Sequence, residues 1–343
     1  MKLKRLTALL LSVMLVLSLA ACGGGKDAKD DSADGDLSGK EIIIGNITPV
    51  TGAQAAYGLA ITNSIQLAID EINADGGILG ATVKLSTKDD QGTPAEAVSG
   101  FNSLLSEGAA AIIGATLSSC TSAITSLADD EGIVLVTPSS TADSITTTDD
   151  YVFRSCFKDS FQGEMVAAYA KDQGWTKAAV LYATGDTYSS GLHDSFVKAA
   201  EKYGIEIVCE QSSSDTGAVD FSSQLATIAA SGADMLFAPY YYDAVGPKII
   251  PQAREAGFKG AIMGCDGFDG TQDYTTGDLS AYENVYFTNH YSPEDSSEIV
   301  QSYVKNYTEK YGSESMNALG ALAYDAMYMV KQAIEKAGSI DHE

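Results

Sequence analysis

Two clusters of hydroxyls and one carboxylate stand where this sequence could do chemistry. Ser118, Ser119 and Thr121 follow one short apolar run, and Ser139, Ser140 and Thr141 follow the next. Asp266 closes the turn Met263-Gly264-Cys265-Asp266. Hydroxyls and open backbone N–H groups are neutral donors for an anion, and N–H groups at a helix start add a favourable dipole. The pair Ser118 and Ser119 stands just before a helix expected to begin near Thr121. An ionised Asp266 would accept from a cation. Together the set suits a zwitterion carrying carboxylate and ammonium. Ordinary N-caps and turn formers are the other reading of the same hydroxyls. Tyrosine is frequent, with 18 residues, and Tyr240-Tyr241-Tyr242 directly follow an apolar run. Tyr57 and Tyr188 fall in comparable strand-to-helix loops; such rings give an apolar wall with a polar tip.

Other chemistries fail on spacing. The chain has three histidines, His193, His290 and His342, with no H-E-x-x-H pattern, so no metal site is expected. The sequence lacks a G-x-S-x-G elbow, a phosphate-loop motif and a G-x-G-x-x-G after its first apolar run. No nucleophile–base pair, no cofactor and no enzyme activity are expected. The pairs Asp89-Asp90, Asp129-Asp130 and Asp149-Asp150 sit by turns, and adjacent side chains diverge in regular structure, so they read as solvated surface.

The elements that must position these groups alternate. Short β-branched runs at 41–45, 82–87, 110–114, 133–137, 178–182, 206–209, 235–238, 261–264 and 285–288 read as strands. Ile61, Ile65, Ala68, Ile69 and Ile72 recur at helical spacing, and further helices are expected over 94–105, 121–130, 161–173, 190–203, 221–230, 244–256, 296–311 and 318–337. Alternation of this kind implies an α/β fold with parallel sheets. Ligands of such sheets sit beyond the carboxyl ends of strands, where the Ser, Thr, Tyr and Asp residues above fall.

The formal net charge is -25, with 46 acidic against 21 basic residues and no basic cluster after the first residues, which excludes nucleic acid as a partner. Lys2, Lys4 and Arg5 precede an apolar run over 6–19 that ends in Leu19-Ala20-Ala21-Cys22. That order is a secretory signal over 1–21. The run is shorter than the ~20 residues a membrane span needs. The small residues before Cys22 resemble the bacterial lipobox, which implies lipidation of Cys22 and an anchor on the outer face of the cell membrane. From 22 to 39 the chain is Gly, Asp, Lys, Ser and Ala with a single Leu37, and reads as a flexible tether. The remainder is long enough for two lobes, expected at 40–157 with 288–343, and at 158–287. Cys120, Cys156, Cys209 and Cys265 lack paired spacing and read as buried thiols, with a disulfide left open by the export signal.

Several stretches, in order, carry a family resemblance: Gly45-Asn46-Ile47-Thr48-Pro49 with Ala56-Tyr57-Gly58, Ala68-Ile69-Asp70-Glu71-Ile72-Asn73, Ile112-Ile113-Gly114 leading to Ser118, Thr137-Pro138-Ser139-Ser140-Thr141, Tyr151-Val152-Phe153-Arg154 and Asp159-Ser160-Phe161-Gln162-Gly163. The chain resembles the substrate-binding lipoproteins of bacterial branched-chain amino acid ABC transporters, of the two-lobe type I periplasmic binding fold. The resemblance implies a cleft in which Ser118, the backbone at Ser139 and the Thr141 hydroxyl hold a ligand carboxylate and Asp266 holds its ammonium. It also implies ligand contacts from Tyr57, Tyr188 and Tyr241, the last being interchangeable with Tyr240 or Tyr242 within one position. Leucine, isoleucine or valine is the implied ligand and ABC permease subunits the implied partners. A sensor feeding a signalling partner, or a binder of an amide, urea or aromatic acid, are the alternatives. Family members usually continue past the point where this chain reaches Glu343, and the tyrosine-rich site leaves room for a more polar amino acid.

Overall fold

The computed structural model describes residues 35–147, 150–313 and 315–341. The signal, Cys22 and most of the tether lie outside them. Ten strands form two five-stranded parallel sheets. The first contains β1 (Glu41–Thr48), β2 (Thr82–Asp89), β3 (Ala111–Ile113), β4 (Leu135–Thr137) and β5 (Val152–Arg154) in the order β2-β1-β3-β4-β5. The second contains β6 (Lys177–Ala183), β7 (Glu206–Ser213), β8 (Met235–Phe237), β9 (Ala261–Gly264) and β10 (Val285–Phe287) in the order β10-β9-β8-β6-β7. Read from its own first strand, each sheet has the same topology. Each therefore reverses direction between its first and third strands, β1/β3 and β6/β8, which opens a crevice at the carboxyl edge.

Helices cover both faces, as parallel sheets require. On the first sheet lie α1 (Ala55–Ala74), α2 (Pro94–Ser106), α3 (Ser118–Ser122) and α4 (Thr125–Glu131). On the second lie α5 (Asp159–Asp172), α6 (Thr187–Tyr203), α7 (Ser222–Ala230) and a composite α8, in which Tyr242–Ala244 and Ile250–Glu255 flank a π-turn at Val245–Ile249. The chain then returns to the first sheet, where α9 (Glu298–Tyr311) and α10 (Ala318–Ala337) pack on α1. Strands β3, β4, β8 and β9 are buried on both sides. In the second sheet Ala178, Val180, Met235 and Met263 face one helix layer, and Ala179, Leu181, Leu236 and Ile262 face the other.

Local sequence sets the element ends. Ile61, Ile65, Ala68, Ile69 and Ile72 of α1 are all buried, as their spacing predicts. Gly58 lets α1 start against the loop after β1, because a Cβ there would lie 2.0 Å from the Pro49 carbonyl oxygen. Asp186 caps α6 by accepting from Ser189 N–H at 2.8 Å, and Gly204 ends it in the left-handed region.

Five expectations change. The single helix over 121–130 is two short ones, and it starts at Ser118, so Ser118 and Ser119 lie inside its first turn rather than before it. The helix over 244–256 starts earlier and contains the π-turn. Residues of Tyr151-Val152-Phe153-Arg154 supply β5, a strand with no place among the runs above, so the crossing between sheets follows Arg154. β7 runs on to Ser213, because an edge strand tolerates the polar residues Glu210, Gln211 and Ser212 that a central strand would not. Finally, Leu37 is no part of a loose tether. It is buried in the core and donates its N–H to Leu79 at 2.8 Å.

Candidate ligand-binding cleft

The carboxyl edges of the two sheets face each other across a small, tightly closed cavity. Tyr57, Thr116, Leu117, Ser118 and Ser139 line it from the first lobe, Tyr188, Tyr241, Asp266 and Gly267 from the second, and Leu319 from the start of α10. Six of the seven residues singled out from sequence thus meet in one place. Thr141, the seventh, is buried close by but is absent from the lining.

At the second-lobe end the Asp266 carboxylate is almost fully hydrogen-bonded. Its Oδ1 accepts from Gln162 Nε2 at 2.9 Å and from Tyr188 Oη at 3.0 Å, and its Oδ2 faces His290 Nε2 at 3.2 Å. Gln162 is itself oriented: its Oε1 accepts from Asp266 N–H and from Thr288 Oγ1. The Tyr188 hydroxyl also accepts from Gly267 N–H at 2.8 Å. Gly267 must be glycine, since a Cβ would stand 2.7 Å from both Tyr188 Oη and the Tyr240 carbonyl oxygen.

The first-lobe end is looser. Arg154 clamps the loop that carries the hydroxyls, donating to the carbonyls of Ser140 at 2.9 Å and Ala142 at 2.8 Å and to Thr146 Oγ1. Ser118 Oγ accepts from Ala142 N–H at a long 3.4 Å, and Ser139 Oγ donates to the Thr116 carbonyl at 2.8 Å. The Thr141 hydroxyl has no hydrogen-bond partner. Beside it Asp159 is buried, which raises its pKa well above the usual carboxylate range; the nearby Thr141 hydroxyl offsets part of that rise. Because α3 is only five residues long, its dipole adds little to anion binding, and the hydroxyls carry that role.

Tyrosines wall the cavity. Tyr188 and Tyr241 stack at 5.0 Å, and Tyr57 meets Tyr241 edge-on at 6.4 Å. The three consecutive tyrosines divide by direction. Tyr240 turns into the second lobe and bonds Ser213, Tyr242 reaches across to the Ala53 carbonyl, and Tyr241 lines the cleft with its hydroxyl unpartnered. The lobes are closed on each other: Tyr57 Oη donates to the Gly267 carbonyl at 2.7 Å and Gln54 Nε2 to Asp243 Oδ1 at 2.9 Å.

A family model described as periplasmic binding protein matches residues 41–343. The chain belongs to the periplasmic binding protein family. Among curated relatives, the Leu/Ile/Val-binding protein homolog 3 of Brucella melitensis is 31% identical over 310 residues, 88% of this chain and 80% of that one. A leucine-binding protein structure from Thermotoga maritima superposes with a TM-score of 0.80 at 33% identity, covering 88% of this chain and 85% of that one. The branched-chain amino acid transporter substrate-binding protein of Streptococcus pneumoniae, in complex with isoleucine, gives 0.79 at 31%, covering 88% and 86%.

Sequence reasoning missed Gln162 and His290. Gln162 lay inside a quoted motif without a role, and His290 has no neighbour in sequence to pair with, because Asp266 reaches it only through the fold. Asp90 was misread. It is fully buried, not solvated, and burial pushes its carboxyl up to about 6, with one oxygen unpartnered and the other accepting from Gly92 N–H. Asp89 stays part-exposed at the surface, where bonds from Thr51, Gln91 and Val50 outweigh the slight burial and lower its pKa. Of the thiols, Cys120, Cys156 and Cys265 are buried and Cys209 half-buried, all four free. Among the described residues no helix is long and apolar enough to cross a membrane, and no group of side chains could hold a metal ion.

Proposed function

We propose that this chain is an extracytoplasmic binding protein that captures an α-amino acid by closing its lobes and delivers it to an ABC permease. The observation that carries this reading is the polarity of one cleft. A buried carboxylate, Asp266, lines one side, and the hydroxyl of Ser118, held by one long contact, lines the other beside the buried, unpartnered hydroxyl of Thr141, with tyrosine faces and two leucines between. An ammonium would bond Asp266, and a carboxylate would take the hydroxyls together with the backbone at Ser139. Leu117, Leu319 and the faces of Tyr57, Tyr188 and Tyr241 would meet an aliphatic side chain. The relatives named for leucine, isoleucine and valine support a branched-chain ligand.

Closure would follow docking on the first lobe, with hinges in the two crossings after β5 and after β10. We take the lobes as 40–157 with 288–343 and as 158–287. Closing removes water, so each charge-assisted bond counts for more than it would in the open cleft. Lipidation at Cys22, with 22–34 as spacer, would hold the protein near its permease. Calorimetry across the twenty amino acids tests the reading. Tight binding of leucine, isoleucine or valine is expected, and no heat from any amino acid overturns it.

A further inference from the structure

We propose that His290 is a positioning residue for the Asp266 carboxylate, and that through this contact ligand affinity falls on acidification. The inference rests on Asp266 receiving the ligand ammonium. His290 Nε2 lies 3.2 Å from Asp266 Oδ2, with the two side chains 2% and 4% exposed. Oδ1 already accepts from Gln162 and Tyr188, so Oδ2 is the oxygen with capacity left for a ligand. An acceptor carboxylate requires the proton on Nε2, and a neutral imidazole so placed donates without cancelling the carboxylate's charge. Once protonated, the imidazolium supplies the positive charge that the ligand ammonium would otherwise bring. Two cations then compete for one oxygen.

The rest of the pocket fixes His290 in this role. Its ring stacks on Phe157 at 3.8 Å, and Phe157 belongs to the crossing after β5 while His290 belongs to the crossing after β10. The contact therefore joins both crossings to the ammonium end of the cleft. Behind His290 a hollow of about 150 Å³, lined also by Tyr291, Tyr303 and Asp325, gives protons a route to the ring while the lobes are closed. Asp269 on its own loop and Asp159 on α5 act electrostatically on this carboxylate, Arg154 on β5 faces Asp159, and Asp325 on α10 lines the hollow behind His290. Burial raises the pKa of Asp159, Asp269 and Asp325, so their protonation also weakens the negative potential on acidification. A variant at position 290 separates the two contributions.

The test is calorimetric titration of L-leucine, L-isoleucine and L-valine into the full chain and into His290→Gln, at pH 7.5 and pH 5.5. For the wild type, affinity at pH 5.5 is expected to be at least about fivefold weaker, within the usual range of coupling between two sites. His290→Gln keeps a donor for Oδ2 and is expected to lose most of that ratio. Repeating the wild-type titration at pH 6 in two buffers of different ionisation enthalpy reads proton release directly, and needs no variant to fold. Net proton release on binding is expected there. Binding at pH 7.5 with no proton release at pH 6, or with equal pH ratios in the two proteins, overturns the inference alone. No binding of any of the three by wild type at pH 7.5 overturns the ligand reading and this inference with it.

Discussion

The two ends of the cleft satisfy their polar groups in opposite ways. Asp266 is surrounded by Gln162, Tyr188 and His290, so its carboxylate is oriented before any ligand arrives. Around Thr141 the hydroxyl and the neighbouring Asp159 carboxylate are buried without hydrogen-bond partners. Buried polar groups left unpaired cost about 1–3 kcal/mol each, so a fold retains them where something else completes them. On the proposed reading the acidic end is preorganised by protein, and the hydroxyl end would be completed by ligand. If that contrast holds, substitutions at the two ends divide differently between stability and affinity.

The largest effect belongs to the preorganised end. Asp266→Asn keeps the shape and the acceptor for Tyr188 while removing the charge that an ammonium needs. Affinity for leucine, isoleucine or valine should fall about a hundredfold or more, since removing one partner of a buried charge pair costs about 2–5 kcal/mol. Calorimetry that shows unchanged affinity would falsify the placement of the ammonium at this residue.

Next comes a buried carboxylate that serves neither end. Asp90 has a folded-state pKa of about 6 against an ordinary 3.8, so the folded protein binds its proton more tightly than the unfolded chain does. Wild-type stability should therefore fall as pH rises through the window from about 4 to about 6. Asp90→Asn retains an acceptor for Gly92 N–H and removes the buried charge. It should add about 2–3 kcal/mol at pH 7 and little at pH 4, read from urea unfolding at both. A variant no more stable than wild type at pH 7 would show that Asp90 has a partner that outweighs its desolvation.

The difference between Asp90 and Asp266 also marks what the sequence could show. Alternating runs announced parallel sheets, and the turns after β1, β3, β4, β6, β8 and β9 meet at one cavity, because a parallel sheet collects its carboxyl ends on one edge. Tyr57, Ser118, Ser139, Tyr188 and Asp266 could be placed at that edge for that reason. Asp90 was misjudged because a turn residue is usually solvated, and only the packing around the loop after β2 reveals otherwise. His290 and Gln162 act on Asp266 from 24 and 104 residues away in the chain, separations over which local pattern carries no information. The three-way split among Tyr240, Tyr241 and Tyr242 needed the backbone path of α8 to be resolved.

At the ligand-completed end, Thr141→Val is the sharpest probe. Valine has nearly the shape of threonine, and the hydroxyl it removes bonds nothing in the closed protein. Folding stability should hold or rise slightly, while affinity drops about tenfold, the worth of one hydrogen bond to a charged group. Losing stability and affinity together would place Thr141 among the structural residues and break the contrast between the two ends.

The smallest effect tests what joins them. Tyr57 comes from the first lobe, and its hydroxyl donates to the carbonyl of Gly267, whose own N–H is bonded by Tyr188 beside Asp266. That bond forms only when the lobes meet, so it stabilises the closed form and contributes nothing to first docking. Tyr57→Phe removes it while the ring keeps its edge-on contacts with Tyr241 and Tyr242. Affinity should weaken about fivefold, roughly 1 kcal/mol. Stopped-flow fluorescence should assign the change to faster ligand release with an unaltered association rate. A slower association instead would mean that Tyr57 meets the ligand before closure, and that the hydroxyl end is more preorganised than Thr141 alone suggests.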